Sequence, residues 1–219
     1  MTPTQLPAHG DLRSLIAPSL RERRKRATEL EISDAALELF EQRGVAATTV
    51  GDIARAAGIS ERTFFRYYSS KEETVLDFQQ WFREPTLEWL ATGRTDEPIL
   101  EQFEAVCVGV LRQLDGPNRD AAERLRRIRT LMRSEPSLRA VSAMLDDERA
   151  SSVADRIVDA FDGRITVLEA RLAAEIVGVG LRTACQTWSA RLDNNEHATL
   201  EESYGLVRGA IHSLTAPPS

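Results

Sequence analysis

The stretch from Thr48 to Lys71 constrains the fold of this chain more than any other part of the sequence. Thr49 can cap a helix, and Asp52 three residues later completes a capping box. A short apolar stripe at helical spacing follows and stops at Gly58, because glycine readily takes the left-handed conformation that ends a helix. Ser60 can then cap a second helix. The spacing therefore predicts two short helices that meet at a tight turn.

The second of these helices has two chemically different sides. Phe64 and Tyr68 share one side and can pack against the first helix. Two helices that cross steeply at a turn containing glycine form the helix-turn-helix unit, whose second helix enters the DNA major groove. Arginine can donate two parallel hydrogen bonds to guanine, and an apolar group can contact the thymine methyl. The side predicted to meet DNA carries Arg62, Thr63, Phe65, Arg66 and Tyr67.

The run ATTVGDIARAAGISERTFFRYYSSKE at residues 47–72 resembles the DNA-binding signature of the TetR family of bacterial transcriptional regulators. The likeness extends over about residues 26–80. It implies a head of three helices, of which the first carries the other two. It also implies that Thr49, Tyr67 and Lys71 hold DNA phosphates.

Base reading is assigned to residues 60–67, the segment predicted to enter the groove after the Ser60 cap. Arg62 and Arg66 are one helical turn apart and are the best candidates, followed by Thr63 and Phe65. Phe65 stands where many family members have tyrosine. Without the hydroxyl it cannot bond a phosphate, so we expect it to contact thymine or to pack.

Charge is divided unevenly along the chain. The formal net charge is −6, yet residues 1–71 carry +2 and residues 72–219 carry −8. This asymmetry is typical of a DNA-binding head on an acidic body. We divide the chain into a flexible arm at 1–20, a helix-turn-helix domain at 21–70, and a ligand-binding and dimerisation domain at 71–219.

Composition predicts an all-α protein without a membrane span. Almost no stretch alternates apolar and polar residues with period two, and no apolar run reaches the roughly 18 residues that cross a bilayer. The N-terminus lacks a secretory apolar segment, so a cytoplasmic location is expected. Cys107 and Cys185 lie in apolar helical stripes and are expected to be reduced core residues. The three histidines lack metal-ligand spacing, and neither a metal, a cofactor nor an enzymatic activity is expected.

The body is predicted to enclose a pocket for a small-molecule inducer. A helix is expected from Lys71 to about Leu90, with Pro85 inside it. Five arginines between residues 124 and 133 form either a solvated face or a site for an anionic group. The phrases LRRIRTLMRSEPSLRA and TACQTWSARL resemble regulators of the mycofactocin group, which implies an acyl-type ligand. The predicted pocket residues are Trp81, Trp89, Phe103, Val110, Met132 and Met144.

The last two long helices are more apolar than a surface pair requires. They can pack against their copies as a four-helix bundle, or they can form ordinary core within one chain. The resemblance implies a homodimer, and a two-fold dimer would read the two half-sites of a palindromic operator in double-stranded DNA. The predicted interface residues are Leu172, Ile176, Val179, Val207 and Ile211.

The sequence thus predicts a DNA-binding repressor that a small hydrophobic ligand releases from its operator. An activator, and a DNA-binding protein that responds to no ligand, remain alternatives. An all-helical enzyme would need a constellation of acids, bases or metal ligands that the sequence does not offer.

Overall fold

Nine α-helices and one turn of 3-10 helix make up the regular structure of the computed structural model, which describes residues 20–76, 80–92 and 97–215. No strand occurs in these segments, and the prediction of an all-α protein is confirmed. The arm expected at 1–20 lies outside the described residues, except for Leu20. The helices are α1 Leu20–Arg43, α2 Val50–Ala56, α3 Glu61–Phe64, α4 Gln80–Thr92, α5 Ile99–Asp115, α6 Arg119–Ser134, α7 Pro136–Ala160, α8 Val167–Asp193 and α9 Leu200–Thr215, with the 3-10 turn at Glu73–Val75.

The short helices of the head are separated by glycines in the left-handed region. Gly44 has φ +82° and follows α1, and Gly58 has φ +66° between α2 and α3. At Gly58 the chain reverses so that the Ile59 amide donates to the Ala54 carbonyl at 2.9 Å. This bond satisfies a carbonyl at the end of α2 and places Ile59 against the head core.

The α-helix expected from Lys71 is absent over residues 71–76, and α4 is described from Gln80. Carbonyls that a continuous helix would use are taken by other partners. The Ser33 hydroxyl donates to the Thr74 carbonyl, and the Arg149 guanidinium donates to the Leu76 carbonyl at 3.0 Å. The chain therefore forms only a 3-10 turn over Glu73–Val75. Pro85 lies inside α4 as expected.

Two hydrophobic clusters organise the described residues. In the body, α8 is central and packs against α5, α6, α7 and α9. In the head, α1, α2 and α3 surround Phe40, Ile53 and Phe64. The head cluster also contains Ile128 of α6 and Leu138 of α7, and both are buried. Two body helices therefore complete the core of the head, so apolar packing crosses the boundary drawn at residue 70.

Polar contacts between α6 and α1 lie beside this shared core. The Arg127 guanidinium donates to both carboxylate oxygens of Glu41, at 2.9 and 2.6 Å. Arg124 donates to Asp34 at 2.9 Å and also to the Ser33 hydroxyl. Two of the five arginines between residues 124 and 133 therefore bind side chains of the head, so this side of α6 is not simply a solvated face.

None of the described helices has the length and apolar character that a membrane span requires.

Leu138→Ala should destabilise the head although residue 138 belongs to the body. Its side chain is fully buried in the head cluster, so truncation removes apolar contact and leaves a cavity. We expect a loss of about 2–5 kcal/mol in the free energy of unfolding, measured by urea denaturation. Hydrogen exchange of the α1–α3 amides should become faster.

The matched control is Met144→Ala on the same helix, because Met144 is 54% exposed. Its effect should stay within about 0.5 kcal/mol. Equal losses for the two variants would contradict the shared core.

Candidate nucleic-acid interface

A closed capping box starts α2. The Asp52 amide donates to the Thr49 hydroxyl at 3.1 Å, and the Thr49 amide donates to the Asp52 carboxylate at 3.1 Å. Asp52 also forms ion pairs with Arg43 at 2.8 Å and Arg55 at 3.2 Å. Hydrogen bonds from Thr49, with the charge of Arg43 and a bond from Arg55 adding to them, lower the pKa of Asp52 from 3.8 to about 2. The carboxylate therefore stabilises the start of α2 in its ionised form.

The inner side of α3 is anchored in the head core, as the sequence predicted. Ser60 caps the helix by accepting the Thr63 amide at 3.1 Å. Phe64 is fully buried and Tyr68 is nearly so, with ring centroids 6.0 Å apart. The Tyr68 hydroxyl donates to the Glu29 carbonyl of α1 at 3.2 Å. These contacts fix which side of α3 is turned away from the core.

The outer side of α3 carries the predicted base-reading residues. Arg62, Phe65 and Arg66 are exposed, and Phe65 shows 56% of its surface. Thr63 and Tyr67 are half-buried. The α-helix ends at Phe64, and the next residues continue as a tight turn in which the Tyr67 amide donates to the Phe64 carbonyl at 2.8 Å.

The two arginines differ in their contacts. The Arg66 guanidinium carbon lies 5.1 Å from the centroid of the Tyr67 ring, a cation–π distance. Arg62 forms neither a hydrogen bond nor an ion pair with any residue in the described part of the chain. Both exposed cations can therefore reach an external acceptor, and Arg62 does so without breaking a bond.

Lys71 has a second role that the sequence did not indicate. Its ammonium donates to the Val45 carbonyl at 2.7 Å and to the Thr48 carbonyl at 2.8 Å. An ammonium has three donors, so two are used within the chain. The loop between α1 and α2, which positions Thr49, is thereby tied to the segment after α3. Sequence spacing gave no signal of this contact, since it depends on carbonyls more than 20 residues away.

A cavity of about 570 Å³ lies among the body helices and reaches the start of α1. Its walls combine apolar side chains such as Cys107, Leu125 and Val177 with charged ones such as Arg26 and Arg149. Of the six predicted pocket residues, Phe103 and Met132 line it. Trp89 instead stacks on Phe103 in the core, at 5.1 Å between centroids, and Val110 is also buried. Trp81 packs against the core and Met144 is exposed, and neither lines this cavity.

The residues predicted for a dimer interface fall into two groups. On α8, Leu172 is 51% exposed, Val179 is exposed and Ile176 is half-buried. On α9, Val207 is only 9% exposed and belongs to the core of its own chain, against which Ile211 also packs. Helical periodicity alone could not tell which apolar side of α9 faces inward. The large apolar residues of α9 that are exposed are Leu206 and Leu214.

The segment with this helix-turn-helix geometry matches known proteins. Residues 32–77 match the family described as bacterial regulatory proteins, tetR family. Over 49 residues the chain is 57% identical to a Mycobacterium tuberculosis protein named as the mycofactocin biosynthesis transcriptional regulator MftR. Over 59 residues it is 48% identical to the HTH-type transcriptional regulator TcmR of Streptomyces glaucescens. These matches cover 22% and 27% of this chain, and the chain spans about a quarter of the length of each relative, 25% and 26%.

Among solved structures, the chain is similar to FadR of Thermus thermophilus, a transcriptional repressor crystallised in complex with lauroyl-CoA. The identity is 24%, the TM-score is 0.48, and the alignment covers 87% of this chain and 96% of that one.

Asp52→Asn should lower the melting temperature of the protein in a pH-dependent way. The pKa of Asp52 is depressed in the fold, so its stabilisation is present above the ordinary value of 3.8 and is lost as the pH falls towards about 2. The difference in melting temperature between wild type and Asp52→Asn should therefore be largest near neutrality and shrink as the pH falls below about 4.

Thermal unfolding followed by circular dichroism at several pH values measures this difference. Glu148→Gln, which alters an exposed carboxylate on α7, serves as the control and should show no comparable trend. If the difference in melting temperature between wild type and Asp52→Asn stays constant from neutral pH to pH 3, the charge of the carboxylate does not contribute to stability.

Proposed function

Because residues 32–77 match bacterial regulatory proteins of the tetR family, we propose that the chain is a member of that family and a transcriptional regulator that binds double-stranded DNA in the cytoplasm. The family consists of transcription regulators rather than enzymes. The observation that carries the proposal is the outer side of α3, where Arg62 and Arg66 are exposed while Phe64 holds the helix from beneath.

In this proposal α3 and the turn after it enter the major groove. Arg62 and Arg66 read base edges, because exposed guanidiniums can form paired hydrogen bonds with guanine. Thr63 and Phe65 contribute next, and the 56% exposure of Phe65 suits contact with a thymine methyl. Ser60 acts mainly through its cap.

Phosphate contacts come from the edges of the unit. Thr49 is exposed at the start of α2, and Tyr67 is half-buried. Lys71 has one donor left for a phosphate after binding two carbonyls. We assign Lys71 mainly to holding the loop before α2 in place, because its ammonium donates to the Val45 and Thr48 carbonyls of that loop.

A homodimer brings two heads to the two half-sites of a palindromic operator. We propose that α8 and α9 form its interface through an exposed apolar side containing Leu168, Leu172, Val179 and Leu206. A Cβ atom added at Gly205 or Gly209 would meet no atom within 4 Å, so packing among the described residues does not demand glycine there. A second copy that packs closely against α9 would leave no room for side chains at these two positions and would therefore require glycine. Val207 and Ile211 support α9 from within instead.

The body cavity is proposed to bind a small hydrophobic ligand, of which an acyl chain is our specific choice. Its volume of about 570 Å³ lies in the range of small-molecule sites. Leu125, Ile128 and Met132 of α6 line it, and the same helix holds α1 through Arg124 and Arg127. In this proposal the ligand binds more tightly when α6 holds the heads in positions that do not fit DNA. Such a ligand would shift the protein towards that conformation, release it from the operator and relieve repression.

Arg62→Ala tests the DNA-binding proposal. Wild-type protein should enrich a palindromic sequence from a pool of randomised duplexes. The variant should bind that duplex more weakly by about 1–3 kcal/mol and lose preference at one position in each half-site, because its paired hydrogen bonds are missing. Fluorescence anisotropy with the selected duplex and its single-base variants measures both effects.

The matched control is Arg126→Ala, which removes an arginine paired with Glu123 on the surface of α6. It should leave both quantities unchanged. Failure of the wild type to enrich any duplex would refute the function, whereas unchanged selectivity of Arg62→Ala would remove only that residue from base reading.

The double variant Leu172→Glu, Leu206→Glu should convert dimers to monomers. Both positions are exposed within the chain, so the fold should persist while two copies would have to bury unpaired carboxylates. Analytical ultracentrifugation measures the mass, and circular dichroism checks the fold. Met144→Glu, at a similarly exposed apolar residue on α7, is the control and should remain dimeric. A dimer that survives both substitutions would place the interface elsewhere.

A further inference from the structure

Arg129 stands between two adjoining cavities of the body. It lines the cavity of about 570 Å³, which also contains Phe103, Cys107 and Leu125, and a second cavity of about 1040 Å³. The two cavities share a set of lining residues, so a molecule bound in the smaller cavity can extend past this side chain into the larger one. The shared residues are Arg129, Met132, Ser142, Asp146, Glu175 and Arg182.

The neighbouring arginines have oxygen partners that Arg129 lacks. Arg133 pairs with Asp193 and donates to the Ser189 hydroxyl at 2.6 Å. Arg139 donates to two carbonyls at the end of α6, at 2.7 and 2.9 Å. Within residues 20–76, 80–92 and 97–215, Arg129 has one hydrogen-bonding contact, to the sulfur of Met132 at 3.9 Å. Thioether sulfur is a weak acceptor and carries no charge to balance the guanidinium.

The nearby carboxylates are already engaged. Arg171 forms ion pairs with Asp147 at 2.5 Å and with Glu175 at 2.8 Å. Arg133 forms an ion pair with Asp193. Asp146 remains, and it is contacted by Arg149 at 3.4 Å and by Arg182 at 3.3 Å. Around Asp146, three guanidiniums including that of Arg129 therefore face one carboxylate.

Burial makes this imbalance costly. Desolvation lowers the pKa of Arg129 from its ordinary value. Cys185 and Asp146 act against this shift, and the positive charges of Arg133 and Arg182 add to it. A guanidinium nevertheless keeps its proton in proteins, so it cannot relieve the cost by becoming neutral. A ligand that brings a negative charge to Arg129 would gain a charge-assisted hydrogen bond in a partly desolvated site.

We propose that Arg129 binds the anionic group of the ligand, a carboxylate or a phosphate monoester, while the apolar part of the ligand fills the cavity beside Phe103, Cys107 and Leu125. This inference rests on the proposed ligand-binding role of the body and specifies the chemical class of the ligand. An amphipathic organic anion binds, and its neutral counterpart of the same length binds more weakly.

Calorimetry with the full chain and four decyl probes tests this assignment. Decanoate and decyl phosphate carry the two kinds of anion, decanol is neutral, and decylamine is cationic at neutral pH. Wild type should bind one or both anions at least about tenfold more tightly than decanol, as a hydrogen bond to a charged group predicts. The better of the two anions identifies the headgroup.

Arg129→Met should weaken binding of the preferred anion by about tenfold or more and leave decanol binding unchanged. Arg129→Lys keeps the charge and should retain part of the preference, which keeps the test valid if the methionine variant does not fold. Arg126→Met is the matched control on the same helix, outside both cavities, and should behave as wild type.

Several results would overturn the assignment. The assignment fails if wild type binds anions and decanol equally, binds decylamine more tightly than either anion, or binds neither anion. It also fails if Arg129→Met loses anion binding and decanol binding to the same extent. Operator binding without ligand provides the separate readout. If Arg129→Met binds the selected duplex like wild type while its anion preference is unchanged, this inference fails and the regulator function stands.

Discussion

The position of α3 depends on one hydrophobic cluster that the head does not complete by itself. Phe64 fixes α3 against Ile53 and Phe40, and the same cluster is closed by Ile128 and Leu138 from the body. Burying side chains of this size contributes roughly 1.5–3 kcal/mol each, which exceeds what the polar contacts nearby can supply. The side of α3 that faces solvent is therefore determined by packing that includes α6 and α7.

The ion pairs between α6 and α1 have a different role. Arg127 and Glu41 are each about one-third exposed, and such pairs contribute about 0–1 kcal/mol because water screens them. Their paired geometry, with two bonds between one guanidinium and one carboxylate, restricts the angle at which α1 meets α6 more than it strengthens the contact. Apolar contact holds the head on the body, and the arginines select its orientation.

Local signals in the sequence were sufficient for the helix-turn-helix unit. The caps at Thr49 and Ser60 and the break at Gly58 act within a few residues, so spacing alone predicted them. Features that depend on distant partners were not predictable in this way. The break in the expected helix at residues 71–76 coincides with hydrogen bonds from Ser33 and Arg149 to carbonyls after Lys71, and neither residue lies near that segment in sequence.

The same limit explains the residues of the body. Aromatic composition suggested that Trp89 lines a pocket, but a ring as large as tryptophan can serve equally well in the core, where it stacks on Phe103 and donates to Gln102. The arginine-rich α6 was ambiguous for a related reason. Its residues are assigned by helical angle: positions 124 and 127 face α1, position 126 faces solvent, and position 129 faces the cavities. The number of arginines along the sequence does not show which of them face α1, the solvent or the cavities.

This division of α6 has a consequence for regulation under the proposed function. Ile128 and Met132 both line the ligand cavity and touch the head cluster, so the cavity wall and the support of the head are in part the same side chains. A ligand that fills the cavity without moving them would bind the DNA-competent and DNA-incompetent states equally and would have no regulatory effect. Regulation requires that the ligand fit better when Ile128 and Met132 adopt the position that the head core disfavours. The coupling free energy is then limited by what repacking these two side chains costs, a few kcal/mol at most, which is the range that allosteric regulators commonly use.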